Sequence, residues 1–322
     1  MSHTTEAPRL KYLPVAFFAM VMGLAGLSIA WHKAASRLGL PGVIAEAILA
    51  FAALVFLTLL ISYGIKSFRY PAAVANELAH PIQLNFFPAI SISLILLATA
   101  SLHISLGLAG VLWVLGTALH LVLTLYIMSV WIHHEHFQIQ HVNPAWFLPV
   151  VGNVLVPIAG APLGFVELSW FFFSVGILFW ILLFAIILYR VFFHPPIDRR
   201  LMPTFFILLA PPAAGFISYL QLTGELDAFA RVLYYGALFL TLLLATQIGR
   251  FLKLQFSLSW WAYSFPLAVM TTASLIMSEL TGQMSFTLIG SALLGIVTLV
   301  VIHLLGQTAR AVGSGRICVP VV

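Results

Sequence analysis

One aromatic-rich stretch in the sequence combines residue types that suit a transport pathway. It reads Trp260-Trp261-Ala262-Tyr263-Ser264-Phe265-Pro266, and an apolar run from Leu267 to Leu280 follows. A proline inside a helix frees a backbone carbonyl group and kinks the helix axis. In a membrane, that carbonyl must be satisfied by protein or by water in a cavity. The stretch therefore predicts either a helix that lines a pathway, with the Phe265 ring standing in it, or a kinked helix packed wholly in protein.

Residues that would support catalysis or cofactor binding are absent from the apolar runs, where we find no nucleophile–base pair and no metal-ligand pattern. The histidine cluster around Glu135 lacks a second histidine at the spacing of a helical zinc site. Its members are His133, His134, His136 and His141. We interpret the cluster as a solvated interfacial loop, with a metal site or a pH sensor as the alternative. His120 is expected to be a buried, hydrogen-bonded histidine. We expect no enzymatic activity and no cofactor.

Composition assigns the chain to the all-α polytopic membrane proteins. The 322 residues are 62% hydrophobic and only 7% charged, against about 25% charged in soluble domains. Apolar runs of about 20 residues, long enough to cross a bilayer, recur along the whole chain. Ten spans are predicted, at 13–32, 43–65, 84–104, 107–130, 145–161, 165–189, 203–222, 228–249, 257–280 and 285–306. We expect a single transmembrane domain over 1–322, with short cytoplasmic tails at about 1–12 and 307–322.

The positions of the basic residues predict the orientation of these spans. Of the 14 Lys and Arg residues, only Lys33, Arg37 and Arg231 fall on one side, and the others share the side of both termini. Positive charge marks the cytoplasmic side, so both termini are expected in the cytoplasm. Because the net charge of +5 comes from span ends and not from a patch, membrane topology explains it and nucleic acid is not an expected partner.

Proline positions predict an internal repeat. The even-numbered spans contain no proline, whereas every odd-numbered span does. The corresponding prolines are separated by about one helical hairpin: Pro14, Pro88, Pro149, Pro211 and Pro266. We interpret this as five hairpins in one orientation, with the proline-bearing helices inside and the bulkier even helices against lipid. Pro88, Pro149, Pro211 and Pro266 are predicted to kink the inner helices.

Five such hairpins can close into a ring. Helices about 9–10 Å apart lie on a circle of roughly 8 Å radius, and subtracting a helix half-diameter of about 5 Å leaves a gap of about 3 Å radius. One phenyl ring would block such a gap. We predict pore-lining positions at Phe87, Ser91, Gly152, Asn153, Ala214, Ala268 and Thr272. Phe87 is also a second possible plug, although ordinary packing is the favoured interpretation of that residue.

Missing charges in the odd spans favour an anion as the permeant species. Between their ends these spans carry no Asp, Glu, Lys or Arg, whereas cation-coupled carriers usually place carboxylates within the membrane. Hydroxyl groups and exposed amides can solvate an anion weakly, so that it both enters and leaves. Cytoplasmic arginines would raise the anion concentration at that mouth.

Four stretches carry a resemblance to a known family. They are Gly23-Leu24-Ala25-Gly26-Leu27, Pro149-Val150-Val151-Gly152-Asn153, Pro203-Thr204-Phe205-Phe206 with Ala210-Pro211-Pro212, and Trp260 to Pro266. With them the whole chain resembles the family of plant slow-type anion channels, bacterial tellurite-resistance TehA proteins and yeast dicarboxylate or sulfite permeases. That resemblance implies five inner helices around a pore and a phenylalanine gate, here Phe265. It also implies a homotrimer in a bacterial inner (plasma) membrane, in contact with lipid.

Two functions remain open at this point. The first is a channel for small monovalent anions such as chloride or nitrate, occluded by Phe265. The second is a secondary transporter of oxyanions or dicarboxylates such as tellurite, sulfite or malate. The missing intramembrane carboxylates favour the channel, although a carrier of divalent acids would also need a fixed positive charge that is missing.

Overall fold

The computed structural model describes residues 9–133 and 137–319, and these residues form α-helices, short 3₁₀ segments and connecting turns, with no strand among them. His134, Glu135 and His136 of the predicted histidine cluster lie outside the described residues. The α-helices are α1 (Phe18–Leu38), α2 (Val43–Arg69), α3 (Pro71–Ala79), α4 (Pro88–Ser101), α5 (Leu106–His133), α6 (Leu148–Gly160), α7 (Val166–Phe193), α8 (Ala210–Thr223), α9 (Ala228–Ala245), α10 (Ile248–Phe251), α11 (Ser264–Thr281) and α12 (Met284–Gly313).

A 3₁₀ segment leads into each of five short α-helices. The segments are Val15–Phe17 before α1, Gln83–Phe86 before α4, Pro144–Phe147 before α6, Met202–Leu209 before α8 and Leu258–Tyr263 before α11. The prolines predicted as interior kinks lie at these junctions: Pro88, Pro149, Pro211 and Pro266 all fall in the first turn of their α-helices. Proline is tolerated there because a first-turn N–H has no acceptor within the helix. Where the sequence predicted a kink inside each helix, the structure has a change from 3₁₀ to α geometry at the start of the α-helix.

Eight helical segments in the described part are long and apolar enough to cross a membrane: Val15–Leu38, Val43–Arg69, Gln83–Ser101, Leu106–His133, Val166–Phe193, Met202–Thr223, Ala228–Ala245 and Met284–Gly313. They correspond to eight of the ten predicted spans. The predicted fifth span is the shorter apolar helix Pro144–Gly160. The predicted ninth span is α11 with its 3₁₀ lead, and its hydroxyl residues and Glu279 make it less apolar than the others.

Burial separates two classes of helix. Within Val15–Leu38, Gln83–Ser101 and Met202–Thr223, between 72% and 83% of the most apolar window is buried by protein. The corresponding share is only 22–33% for α2, α5, α7, α9 and α12. Most residues of α6 and α11 are buried as well. The alternation of inner and outer helices that the proline pattern predicts is therefore present in the packing.

The inner helices contact one another in a closed cycle. α1 packs against α4, α4 against α6, α6 against α8, α8 against α11, and α11 returns to α1. Each inner helix also packs against the outer helix that follows it in the chain. Both ends of the described chain lie at one end of the molecule, where the Arg9 guanidinium donates a hydrogen bond to the Val312 carbonyl (3.2 Å).

Glycines allow the closest of these contacts. A Cβ atom on Gly23 of α1 would lie 2.7 Å from Cβ of Ser264 and 3.2 Å from the Trp261 ring, so α1 and α11 meet nearly backbone to backbone. On Gly26 it would lie 3.1 Å from Cδ2 of Phe265.

We predict that Gly23→Ala destabilises the protein, because the added methyl group must push α1 and α11 apart. The expected loss is about 1–3 kcal/mol, the usual cost of overpacking, measured by thermal unfolding in detergent. Gly295→Ala on α12 is the control, since a Cβ atom there meets nothing within 4 Å. Equal stability of the two variants would contradict the assigned contact between α1 and α11.

Candidate functional site

A small apolar cavity, cavity 1, lies between the N-terminal ends of the inner helices. All five inner units contribute to its wall, through residues that include Ala19, Phe86, Val151, Ala210 and Pro266. Its volume is about 30 Å³, room for about one water molecule. The lining side chains are apolar except for that of Ser259, so an ion that entered would find little to replace its hydration shell.

A larger cavity, cavity 2, lies between the C-terminal halves of the same helices and measures about 230 Å³. Its wall again takes residues from all five inner helices, but it is more polar. The polar lining residues are His32, Lys33, Thr99, His103, Gln221 and Thr272. No Asp or Glu is among the described residues that line it. The basic side chains of this wall can donate hydrogen bonds to an anion, although Lys33 is also ion-paired with Glu279.

Phe265 is the lining residue that the two cavities share in the described part of the chain. Its side chain is buried, with 5% of its surface exposed. Gly26 lies directly opposite on α1, where the absence of a side chain leaves room for the ring. Phe265 is the second residue of α11 and precedes Pro266, so the 3₁₀-to-α junction fixes its backbone at the boundary between the cavities.

The other predicted residues of α11 lie on the same side of that helix. Thr272 lines cavity 2, as do Val269 and Ile276. Ala268 packs against α1, where a Cβ atom on Gly26 would lie 3.3 Å from the Ala268 methyl group. Ala214 on α8 is fully buried and lines neither cavity.

Phe87 lines neither cavity. Its ring makes an edge contact with Tyr63 of the outer helix α2, with centroids 6.3 Å apart, while its neighbour Phe86 lines cavity 1. The sequence comparison of proline positions aligned the residue directly before each proline. Because each repeat changes from 3₁₀ to α geometry at a slightly different residue, equal spacing from proline does not give equal orientation.

Ser91, Gly152 and Asn153 also lie away from both cavities, and they meet the outer helix α5. Nδ1 of His120 lies 2.9 Å from the Ser91 hydroxyl, and Nε2 donates to the Pro149 carbonyl (2.8 Å). A Cβ atom on Gly152 would lie 2.6 Å from Nδ1 of His120, so only glycine leaves space for this ring. The expected buried, hydrogen-bonded histidine is confirmed at His120.

The Pro149 carbonyl accepts two further side-chain bonds, from Thr124 Oγ1 (3.0 Å) and Asn153 Nδ2 (2.7 Å). These three side-chain donors satisfy the buried carbonyl group, as water does for an exposed carbonyl group. The polar residues that the sequence suggested for a pore wall thus join α4, α5 and α6. Their physical role here is to satisfy buried polar groups between inner and outer helices.

The described part of the histidine cluster lies at the terminal end of the molecule. Burial and then the nearby His141 lower the pKa of His80. Nδ1 of His80 accepts hydrogen bonds from the backbone N–H groups of Ile82 and Gln83 (3.1 and 3.3 Å), which requires an unprotonated nitrogen. No group of three or more His, Cys, Asp or Glu that could hold a metal occurs within residues 9–133 and 137–319.

Sequence reasoning missed the basic mouth of cavity 2. The rings of His32 and His103 stack with centroids 3.9 Å apart, and Lys33 lies beside them. These residues are the ends of the first and third predicted spans, so a signal was present. Their proximity required knowing that α1 and α4 are neighbours in the cycle.

Comparisons with known proteins match most of this chain to one family. The model of the family SLAC1, described as voltage-dependent anion channel, matches residues 12–309. The S-type anion channels SLAH2 and SLAH3 of Arabidopsis thaliana are 30% and 32% identical over 308 residues, 94% of this chain. The chain spans 59% and 48% of those two relatives. The tellurite resistance protein TehA homolog of Haemophilus influenzae is 27% identical over 276 residues, 84% of this chain and 83% of the relative.

We predict that His120→Leu lowers stability, because it removes the two buried hydrogen bonds that the imidazole ring makes, one with Ser91 and one with the Pro149 carbonyl. The expected loss is about 1–3 kcal/mol, measured by thermal unfolding in detergent. Thr117→Val is the matched control on the same helix: Thr117 is buried, but its hydroxyl group has no hydrogen-bond partner. If both variants lose the same stability, the hydrogen bonds of His120 do not carry the effect.

Proposed function

Because this chain belongs to the SLAC1 family of voltage-dependent anion channels, we propose that it conducts small monovalent anions such as chloride and nitrate along the line joining its two cavities. The family is one of channels and transporters and not of enzymes. The observation that carries the proposal is the position of Phe265, whose ring belongs to the walls of both cavities. We propose that this ring occludes the passage and that its displacement opens it.

The pore itself is proposed as a quasi-five-fold ring of inner helices within ten membrane spans. The closed cycle of contacts from α1 through α4, α6, α8 and α11 supports it. Two inner helices, α6 and α11, are not among the eight clear spans, and the 3₁₀ segments that precede them add to their length. At about 2.0 Å per 3₁₀ residue and 1.5 Å per α residue, Pro144–Gly160 reaches about 27 Å and Leu258–Thr281 about 39 Å. Both values are close to or above the roughly 30 Å of the hydrocarbon core.

Selectivity for anions would arise from the wall of cavity 2. Its described lining contains His32, Lys33 and His103 and no carboxylate. A small anion would find hydrogen-bond donors at that mouth, where Lys33 is also ion-paired with Glu279, and would then meet the apolar constriction at Phe265. Weak binding along the constriction is what conduction requires, since a tightly held ion would not leave.

Orientation and assembly complete the proposal. Since basic residues concentrate at the end that holds Arg9 and Val312, the termini are proposed to be cytoplasmic and cavity 2 to open outside the cell. We propose a multi-pass protein of a bacterial inner membrane, in contact with lipid through the outer helices. Assembly as a homotrimer with one pore in each subunit is proposed from the family resemblance.

A secondary transporter of oxyanions or dicarboxylates is the second candidate. It is favoured by the difference in size between the cavities. Cavity 2 could hold a polyatomic anion, whereas cavity 1 has room for only about one water molecule. That asymmetry is expected of a carrier caught with one side accessible. In that case the Phe265 ring would move once per transport cycle.

We predict that Phe265→Ala increases anion current, because the removed ring is the boundary between the cavities. The expected increase is about tenfold or more, since a steric block is replaced by a continuous passage. It is measured in planar bilayers with chloride or nitrate, and the cation current should stay unchanged. Phe87→Ala is the control, because Phe87 is equally buried but packs against Tyr63.

The same variant separates the two candidates. If the protein is a carrier, the unmodified protein should accumulate substrate when a gradient drives it. The Phe265→Ala variant, which lacks the occluding ring, should lose this gradient-driven accumulation. Conductance that is unaltered by Phe265→Ala, together with proton-driven uptake of a dicarboxylate by the unmodified protein, would reject the channel.

A further inference from the structure

Two histidines stack on each other at the mouth of cavity 2, and the proposed conduction past Phe265 does not account for this stacking. His32 lies near the C-terminal end of α1, and His103 lies in the turn after α4. Their ring centroids are 3.9 Å apart and their planes differ by 21°. Both residues are exposed and both line the cavity, so protons and ions from the adjacent solution can reach them.

Other charged groups near the pair largely cancel one another. Lys33 forms an ion pair with Glu279, at the end of α11. Glu46, in the first turn of α2, acts on His32 electrostatically in the opposite sense to Lys33. Arg37 is held by hydrogen bonds to Ser278. The imidazoles of His32 and His103 are therefore the groups of this mouth whose charge a bound proton would change.

The stacked geometry links proton binding to anion binding. Two neutral imidazoles can stack at this distance, but two imidazolium ions so close together repel each other. An anion beside both rings would offset that repulsion and accept hydrogen bonds from their N–H groups, which all act as donors in the protonated form. The side-chain amide of Gln221, in the same wall, can donate a further hydrogen bond to the anion.

We propose that His32 and His103 form a proton-dependent binding subsite for small inorganic anions at this mouth. The inference rests on the proposed function, because the subsite would load the proposed conduction pathway. Acid on the side of cavity 2 would fill the subsite and raise anion current, and acid on the side of the termini would not act through it.

Direct binding tests the subsite without any measurement of current. Nitrate is titrated against the full-length protein in detergent at pH 5.5 and pH 8, with gluconate holding the ionic strength constant, and affinity is obtained from the rise of the unfolding temperature. We expect about tenfold tighter nitrate binding at pH 5.5, since each added positive charge lies within a few ångströms of the anion.

Variants locate the effect. His32→Gln and His103→Gln, singly and together, should reduce or abolish the pH dependence of nitrate binding while keeping side chains that can form hydrogen bonds. His303→Gln is the matched control, because His303 is also exposed and stacked, on Trp260, but does not line cavity 2. Full pH dependence in the double variant, or its loss in His303→Gln, would overturn the subsite.

Recording in the Phe265→Ala background separates this proposal from the proposed conduction. Current that rises with acid on the cavity 2 side, and no longer does so in the double histidine variant, supports both. Absence of current with pH-dependent nitrate binding intact rejects conduction and keeps the subsite. Current with nitrate binding that is independent of pH rejects the subsite and keeps conduction.

Discussion

The rest of the structure depends on one constraint: a polar group placed in the membrane must find its partner inside the protein. Hydroxyl groups of the inner helices meet it by donating to the carbonyl one turn earlier. Ser93, Ser101, Thr271, Thr272 and Ser274 all do so, at 2.6–3.1 Å. A hydroxyl hydrogen used in this way is not available to an ion. The inner wall is therefore less polar in practice than its composition suggests.

The same constraint explains where the repeat prolines of four inner helices lie. A proline removes one backbone N–H donor, and in the first turn of a helix that N–H has no acceptor within the helix. Such first-turn positions are occupied by Pro88, Pro149, Pro211 and Pro266, with small shifts in register from one helix to the next. The pattern has two exceptions: Pro14 precedes the 3₁₀ segment before α1, and Pro157 lies inside α6.

Those shifts mark the limit of prediction from sequence. Class and the alternation of helix types followed from apolar length and proline spacing, and a resemblance carried by motifs singled out Phe265, which lines both cavities. The orientation of individual residues did not, because the polar residues of a helix such as α4 are not gathered on one face and so do not indicate its rotation. Phe86, and not Phe87, lines cavity 1. Ser91 and Asn153 turned towards α5, where their partners His120 and Thr124 were far away in the sequence.

Selection and occlusion occupy different places in the proposed channel. The basic groups of His32, Lys33 and His103 lie at one end, and the apolar constriction at Phe265 lies beyond them. If fixed charge stood at the constriction, an anion would bind there and block the passage. With the hydrogen-bond donors at the mouth, anions would be bound there while the narrow part holds none of them strongly. Gly26 contributes to this closure in the proposed channel. Because it has no side chain, the Phe265 ring can lie against the backbone of α1, so the proposed constriction is closed by packing and without a charged group.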